Sequence, residues 1–274
     1  SHQHDHRECG WSLILYLTLQ EGASVKLENI DKSIQKQDIL QDISLEVSPQ
    51  KLTAFIGPNG AGKSTLLSIM SRLTKKDQGI LSIKGREIES WNSQELAQEL
   101  TILKQKINYQ AKLTVEELVS FGRFPYSRGR LRPEDWEKIR ETLDYLELTN
   151  LKDRYIDSLS GGQLQRVFIA MVLAQDTDFI LLDEPLNNLD IKQSVSMMQS
   201  LRRLVEELGK TIIIVLHDIN MASQYADEIV AFKDGQVFRK GTTNQIMQAD
   251  LLSQLYEIPI TLADINGKKI CIYS

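Results

Sequence analysis

One stretch of nine residues limits the possible fold more than any other. Gly57-Pro58-Asn59-Gly60-Ala61-Gly62-Lys63-Ser64-Thr65 follows a short apolar run, Leu52 to Ile56, and opens a helical pattern, Lys63 to Leu73. A strand that feeds a Gly-rich turn and then a helix is the context of a phosphate-binding loop. The glycines let backbone N–H groups converge on phosphate oxygens, and the helix offers its positive end to the same point. In this reading Lys63 reaches the β- and γ-phosphates and Ser64 ligates Mg²⁺. A Gly-rich turn that binds nothing would need only the glycines, not the flanking strand and helix.

A companion carboxylate lies further along. Phe179-Ile180-Leu181-Leu182 is an apolar run with the character of a strand buried on both faces, and it ends in Asp183-Glu184. Beside a phosphate loop, Asp183 is expected to hold Mg²⁺ and Glu184 to orient or deprotonate the attacking water. The text around this run alternates. Ile191 to Leu208 reads as an amphipathic helix, Thr211 to Leu216 as a buried strand, Ile219 to Tyr225 as a short helix and Glu228 to Phe232 as another strand. Such alternation predicts a parallel sheet with helices on its faces, hence an α/β class. From about residue 114 to 175 no strong strand is evident. Thr114 and Glu117 form a capping-box pattern, and Pro133 to Leu148 reads as a helix with acidic residues in its first turn. A helical insertion into the α/β core is the simplest description.

Composition narrows the function classes. The 274 residues are 42% hydrophobic and 25% charged, ordinary for a globular chain, and the formal net charge is −5. No global basic field is available for nucleic acid, so that partner is not expected. Two cysteines, Cys9 and Cys271, form neither a disulfide framework nor a zinc spacing. The apolar stretch Trp11 to Leu19 has nine residues, against about 20 for a membrane span, and lacks the flanks of a signal peptide. Residues 1–24, with His2, His4 and His6, read as an unstructured extension ahead of a single domain over 25–274.

Leu159-Ser160-Gly161-Gly162-Gln163 precedes an apolar helix, Leu164 to Ala174. Ser160 fits an N-cap, and the two glycines leave the helix end open to an anion, although a plain capped junction has the same look. The phosphate loop, the LSGGQ pentapeptide about 100 residues later and the Asp-Glu strand about 20 after that together resemble the ATP-binding cassette (ABC) ATPases. The resemblance covers Val25 to about Gly241. It implies a P-loop NTPase core with a parallel sheet, an antiparallel β subdomain and an inserted α-helical subdomain. It further implies that Ser160, Gly161, Gly162 and Gln163 cap ATP held by the phosphate loop of a second cassette. Asn187-Asn188-Leu189-Asp190 resembles the D-loop, so Asp190 joins the nucleotide set. His217, ending an apolar strand, resembles the switch histidine that contacts the γ-phosphate. Gln105 resembles the Q-loop glutamine that senses Mg²⁺ and the membrane partner, with Gln110 nearby as a rival.

Within that family, Phe121-Gly122-Arg123-Phe124-Pro125-Tyr126 resembles a stretch of the cassettes of iron–siderophore, haem and cobalamin importers. The resemblance implies a homodimer of cassettes on the cytoplasmic face of the cell membrane. Two copies bind two MgATP head to tail and act on integral permease subunits and, through them, on an extracytoplasmic substrate-binding protein. Ferric siderophore is the implied cargo. The permeases are expected to dock near Phe121 to Tyr126, with core packing as the alternative for each aromatic. The rival function is a soluble ABC ATPase acting on a macromolecular complex, and the FGRFPY stretch disfavours it. One departure stands out. Cassettes of this family stack adenine on an aromatic about 30 residues before the loop lysine, and the matching position here is Ile34. The base then has either alkyl contact from Ile34 or another group, such as Tyr16.

Overall fold

A computed structural model describes residues 24–104 and 112–273. The chain opens with an antiparallel pair, β1 (Val25–Ile34) and β2 (Gln37–Val47), joined by a two-residue turn in which Gln35 and Lys36 both have positive φ. That is the backbone of a type I′ hairpin, whose twist matches the strands it joins. The buried strand β3 (Leu52–Ile56) then leads through the phosphate loop into α1 (Lys63–Met70). β4 (Gln78–Ile83) and β5 (Arg86–Glu87) complete an antiparallel sheet of order β2-β1-β4-β5. α2 (Ser93–Glu99) and β6 (Leu100–Leu103) close this first half.

Between β6 and the next strand the named elements are all helical. They are α3 (Val115–Ser120), α4 (Phe124–Ser127), α5 (Pro133–Tyr145) and α6 (Gly161–Ala174), with short 3₁₀ turns between them. The expected capping box at Thr114–Glu117 is formed, and Ser160, expected as an N-cap, makes a full box with Gln163. β7 (Phe179–Asp183), α7 (Ile191–Leu208), β8 (Thr211–Val215), α8 (Ile219–Tyr225) and β9 (Glu228–Lys233) follow in alternation. The chain ends with β10 (Gln236–Thr242), α9 (Thr243–Ile246), α10 (Ala249–Tyr256) and a hairpin of β11 (Ile260–Ile265) and β12 (Lys268–Tyr273).

The central sheet has the order β10-β9-β3-β8-β7-β6. All its pairings are parallel except β10 with β9. Side chains alternate across it and build two cores. Ala54, Ile180, Ile212, Ile214 and Ile229 pack toward the helical side with α6 and α7. Phe55, Leu181, Ile213, Val215 and Phe232 pack toward α1 and the antiparallel sheet. This explains why the central strands are apolar at nearly every position: each face meets a different layer. The α/β class, the parallel core and the antiparallel sheet are as the sequence reading expected.

Two helices stop earlier than their periodicity suggests. α1 ends at Met70, not Leu73, and α5 at Tyr145, not Leu148. In both, a left-handed residue reverses the chain, Arg72 (φ 59) or Glu147 (φ 57). The next amide then bonds five residues back, Leu73 N to Ser68 O at 2.9 Å and Leu148 N to Leu143 O at 2.8 Å. These are Schellman-like closures made without the usual glycine, so the sequence carries no stop signal for them.

Candidate functional site

The phosphate loop is shaped by what presses against it. Gly57 has φ 140, and a Cβ there would stand 2.1 Å from the Phe232 carbonyl oxygen of β9. Gly62, the N-cap of α1, has φ 97, and a Cβ would meet Leu40 Cδ2 at 2.5 Å. Only glycine satisfies both the backbone angle and the space at these two points. The loop is therefore wedged between the central sheet and the β1–β2 hairpin. Lys63 is 5% exposed. Its ammonium donates to the carbonyls of Gly57 at 2.7 Å and Pro58 at 2.9 Å. Burial lowers its pKa from the ordinary lysine value, and the Glu184 and Asp183 carboxylates act in the opposite sense. A desolvated cation held by neutral carbonyls favours an anion beside it.

Ser64 Oγ donates to Asp183 Oδ1 at 2.8 Å. The alignment comes from strand order: β3 and β7 flank β8, so the loop after β3 and the carboxylate ending β7 emerge at one sheet edge. Ligands of open α/β sheets bind at that carboxyl edge. A hydroxyl and a single carboxylate are hard oxygen donors that leave most of a coordination sphere to phosphate oxygens and water. That donor set fits Mg²⁺. Among the described residues no group of three or more His, Cys, Asp or Glu side chains forms a metal cage.

Glu184 follows directly, in a left-handed conformation (φ 52) that costs a non-glycine residue roughly 1 kcal/mol. Its Oε1 lies 2.8 Å from His217 Nε2, and its Oε2 accepts from Asn187 Nδ2 at 2.8 Å. His217 stands just beyond β8, where Leu216 N is tied to Phe55 O at 3.1 Å. Asp218 caps α8 through the amides of Asn220 and Met221. The C-terminal hairpin braces that helix: Asn220 exchanges two hydrogen bonds with the Cys271 backbone, and Ser223 Oγ donates to Lys269 O at 2.6 Å.

The pentapeptide forms a second cluster. Ser160 Oγ accepts from Gln163 N at 3.2 Å, and Gln163 Oε1 accepts from Ser160 N at 3.0 Å. Asp190 and Gln193 make the same reciprocal pair at the start of α7. Gln193 lies against Gly161 and Gly162, where a Cβ would approach its side chain to 3.4 and 3.1 Å. Two helix N-termini thus share one cleft of about 330 Å³, lined by Ser160, Gly162, Gln163, Asp190 and Gln193. Among the described residues no hydrogen bond or ion pair joins this cluster to Lys63, Ser64 or Asp183. One chain brings together the phosphate loop, Asp183, Glu184 and His217, and separately Ser160 to Gln163 with Asp190. Gln105 and Tyr16 lie outside the described residues. Gln193 was missed by the sequence reading, although Asp190-x-x-Gln193 repeats the capping signature of Ser160-x-x-Gln163.

The FGRFPY stretch divides by role. Arg123 is buried. It donates to Asp135 Oδ1 and to Ala174 O, both at 2.9 Å, and its guanidinium lies 3.9 Å from the Tyr126 ring centroid. Tyr126 donates to Gln175 O at 2.9 Å. Phe121 and Phe124 instead are 47% and 63% exposed. Ile34 is 45% exposed and belongs to neither core, so core packing does not account for it.

A phosphate loop and Asp-Glu strand at the carboxyl edge of a parallel sheet, with a separate glycine-rich helix start, define a P-loop ATPase. The chain belongs to the ABC transporter family, whose sequence profile matches residues 40–187, and it is an ATP-hydrolysing cassette of that family. It is 53% identical to the petrobactin import ATP-binding protein YclP of Bacillus subtilis (strain 168), over 91% of this chain and 99% of that one. It is 46% identical to the petrobactin import ATP-binding protein FatE of Bacillus anthracis, over 91% of this chain and all of that one. Among solved structures it resembles the dimeric bacterial ABC transporter cassette MJ0796, with a TM-score of 0.69 and 33% identity over 80% of this chain and 98% of that one.

Proposed function

We propose that this chain is the ATP-hydrolysing subunit of a ferric siderophore importer, acting as a pair on membrane permeases. The observation that carries the reading is the division of the site. The residues that hold and attack a nucleotide phosphate sit at the sheet edge, while the pentapeptide glycines face elsewhere. A second copy, turned head to tail, supplies Ser160, Gly161, Gly162 and Gln163 to the nucleotide on the first. The similarity to a dimeric cassette supports this arrangement.

Within one copy, the amides of Gly57 to Thr65 and the Lys63 ammonium bind the phosphates. Ser64 and Asp183 would hold Mg²⁺, which when bound would screen the charge on the transferred phosphoryl group. Glu184 orients the attacking water and takes its proton, and His217 contacts the γ-phosphate side. Gln105 senses the metal and the permease. Asp190 positions the loop that faces the partner copy. Phe121 and Phe124, exposed beside the anchored Arg123 and Tyr126, present an apolar surface to the permease on the cytoplasmic face of the membrane. No helix among the described residues is long and apolar enough to cross a membrane. An extracytoplasmic binding protein delivers the cargo to the permease without touching this chain.

The import names of the similar proteins favour this reading over a soluble ATPase acting on macromolecular complexes. Siderophore uptake in the source cell is the test. Removing this chain is expected to abolish uptake of a radiolabelled ferric siderophore. The parent chain restores it, and Lys63→Ala does not. Full uptake without the chain, or restoration by Lys63→Ala, contradicts the proposal.

A further inference from the structure

We propose that Tyr256 is a positioning residue for the phosphate loop: its hydroxyl takes hold of the Gly57 amide when Lys63 turns from the loop carbonyls to a nucleotide phosphate. The inference rests on the reading of Gly57 to Thr65 as the nucleotide loop. Tyr256 is the last residue of α10. Its hydroxyl oxygen is buried and has no hydrogen-bond partner of ordinary geometry among the described residues. A buried polar atom left in this way is costly, and a donor that comes to pair with it removes the cost. Burial pushes the pKa of this hydroxyl up, and the Gly57 amide beside it acts in the opposite sense. The amide is thus close to the hydroxyl but not yet well aligned on it.

The surrounding contacts fix the ring beside Gly57. Lys233 follows Phe232, whose carbonyl oxygen bounds the space at Gly57. The Lys233 ammonium donates to Gln254 O at 2.7 Å and lies 3.4 Å from Glu257 Oε1. The chain on both sides of Tyr256 is therefore tied to the end of β9. Ser253 Oγ, one turn earlier in α10, accepts from Ile260 N at 3.0 Å and so holds the start of β11. Gly57 has a different restraint. Its carbonyl accepts from Lys63 Nζ at 2.7 Å, as the Pro58 carbonyl does at 2.9 Å. A phosphate competes for that ammonium with charge-assisted bonds, roughly twice as strong as neutral ones. When Lys63 turns to the phosphate, the Gly57 turn loses this hold on its carbonyl. The Tyr256 hydroxyl then supplies another on its amide, with the amide donating and the oxygen accepting.

The test compares the full chain with Tyr256→Phe, Tyr273→Phe and Lys63→Ala. Titration calorimetry with MgADP reads binding apart from hydrolysis, and thermal unfolding without nucleotide reads the fold. Tyr256→Phe keeps the ring and removes the hydroxyl. It is expected to bind MgADP about fivefold more weakly, the scale of one hydrogen bond. Its unfolding midpoint is expected at or above the parent's, because an unpaired buried hydroxyl is gone. Tyr273→Phe removes a neighbouring hydroxyl and is expected to match the parent in both measurements. Unchanged MgADP affinity in Tyr256→Phe overturns the proposal. So does an unfolding midpoint below the parent's, since the hydroxyl then serves the fold itself, and so does an equal loss of affinity in Tyr273→Phe. Lys63→Ala keeps the two claims apart. If it loses MgADP binding while Tyr256→Phe binds like the parent, only the role of Tyr256 fails. If Lys63→Ala binds MgADP like the parent, the underlying reading of the loop fails.

Discussion

Ile34 occupies the position where the sequence reading expects adenine to rest. It ends β1, paired with Gln37 across the turn, and 45% of it faces solvent. The same hairpin leans on the phosphate loop through Leu40 and the Ile39 carbonyl, which bound the space at Gly62. An isoleucine at the expected adenine position offers an alkyl surface and no π-face. Stacking of a base on an aromatic is worth roughly 1–3 kcal/mol in nucleic-acid complexes. Ile34→Tyr is therefore expected to tighten ATP binding by up to about tenfold, or ~1.4 kcal/mol. Titration calorimetry with ATP and GTP on both proteins checks this. Unchanged ATP affinity in Ile34→Tyr, with a clear loss in Tyr16→Ala, would transfer the role to Tyr16. The phosphate side of the site was legible in the sequence because each of its residues has a fixed place in a contiguous motif. The contact of Asn187 with Glu184 was not, because no motif reports where a loop folds back.

Among the elements, the helical region depends on a buried ion pair. Arg123 and Asp135 are both under 9% exposed, and the pair ties the start of α4 and the first turn of α5 to the end of α6. Burial alone would raise the Asp135 pKa. The Arg132 amide and the Arg123 guanidinium outweigh it and hold the carboxyl below its ordinary value. A depressed carboxyl adds stability above its unfolded pKa near 3.8. That contribution fades as pH falls through the lower, folded value. The parent is thus expected to lose stability below about pH 4, in a window where Asp135→Asn shows a flatter response. At pH 7 Arg123→Met should cost about 3–5 kcal/mol, since it strands a buried carboxylate. Chemical denaturation at several pH values measures both, and equal acid sensitivity in Asp135→Asn contradicts the assignment. The strands of the central sheet were readable as apolar runs because both their faces are covered. The C-terminal hairpin was not, because Lys268-Lys269-Ile270-Cys271-Ile272 is tied down by Asn220 and Ser223 of α8, a tertiary contact with no local signature. The early ends of α1 and α5 escaped notice because Arg72 and Glu147 occupy positions where glycine is the usual signal.

Across the whole molecule, the groups read as nucleotide-binding fall into two separate clusters. The sheet edge assembles Lys63, Ser64, Asp183, Glu184 and His217, while Ser160 to Gln163 and Asp190 open a separate cleft at the starts of α6 and α7. On the proposed pairing, the full site forms only in the dimer, so nucleotide and partner are expected to bind with positive coupling. On the proposed role of Glu184, Glu184→Gln is expected to uncouple pairing from turnover, because it leaves Lys63, Ser64 and Asp183 in place and removes only the proposed base. The most direct measurement is the mass of Glu184→Gln by sedimentation velocity, with MgATP, with MgADP and without nucleotide. The account predicts a dimer with MgATP alone, abolished when Gly162→Asp is added. A Glu184→Gln chain that remains monomeric at saturating MgATP, or a dimer that tolerates Gly162→Asp, would contradict it.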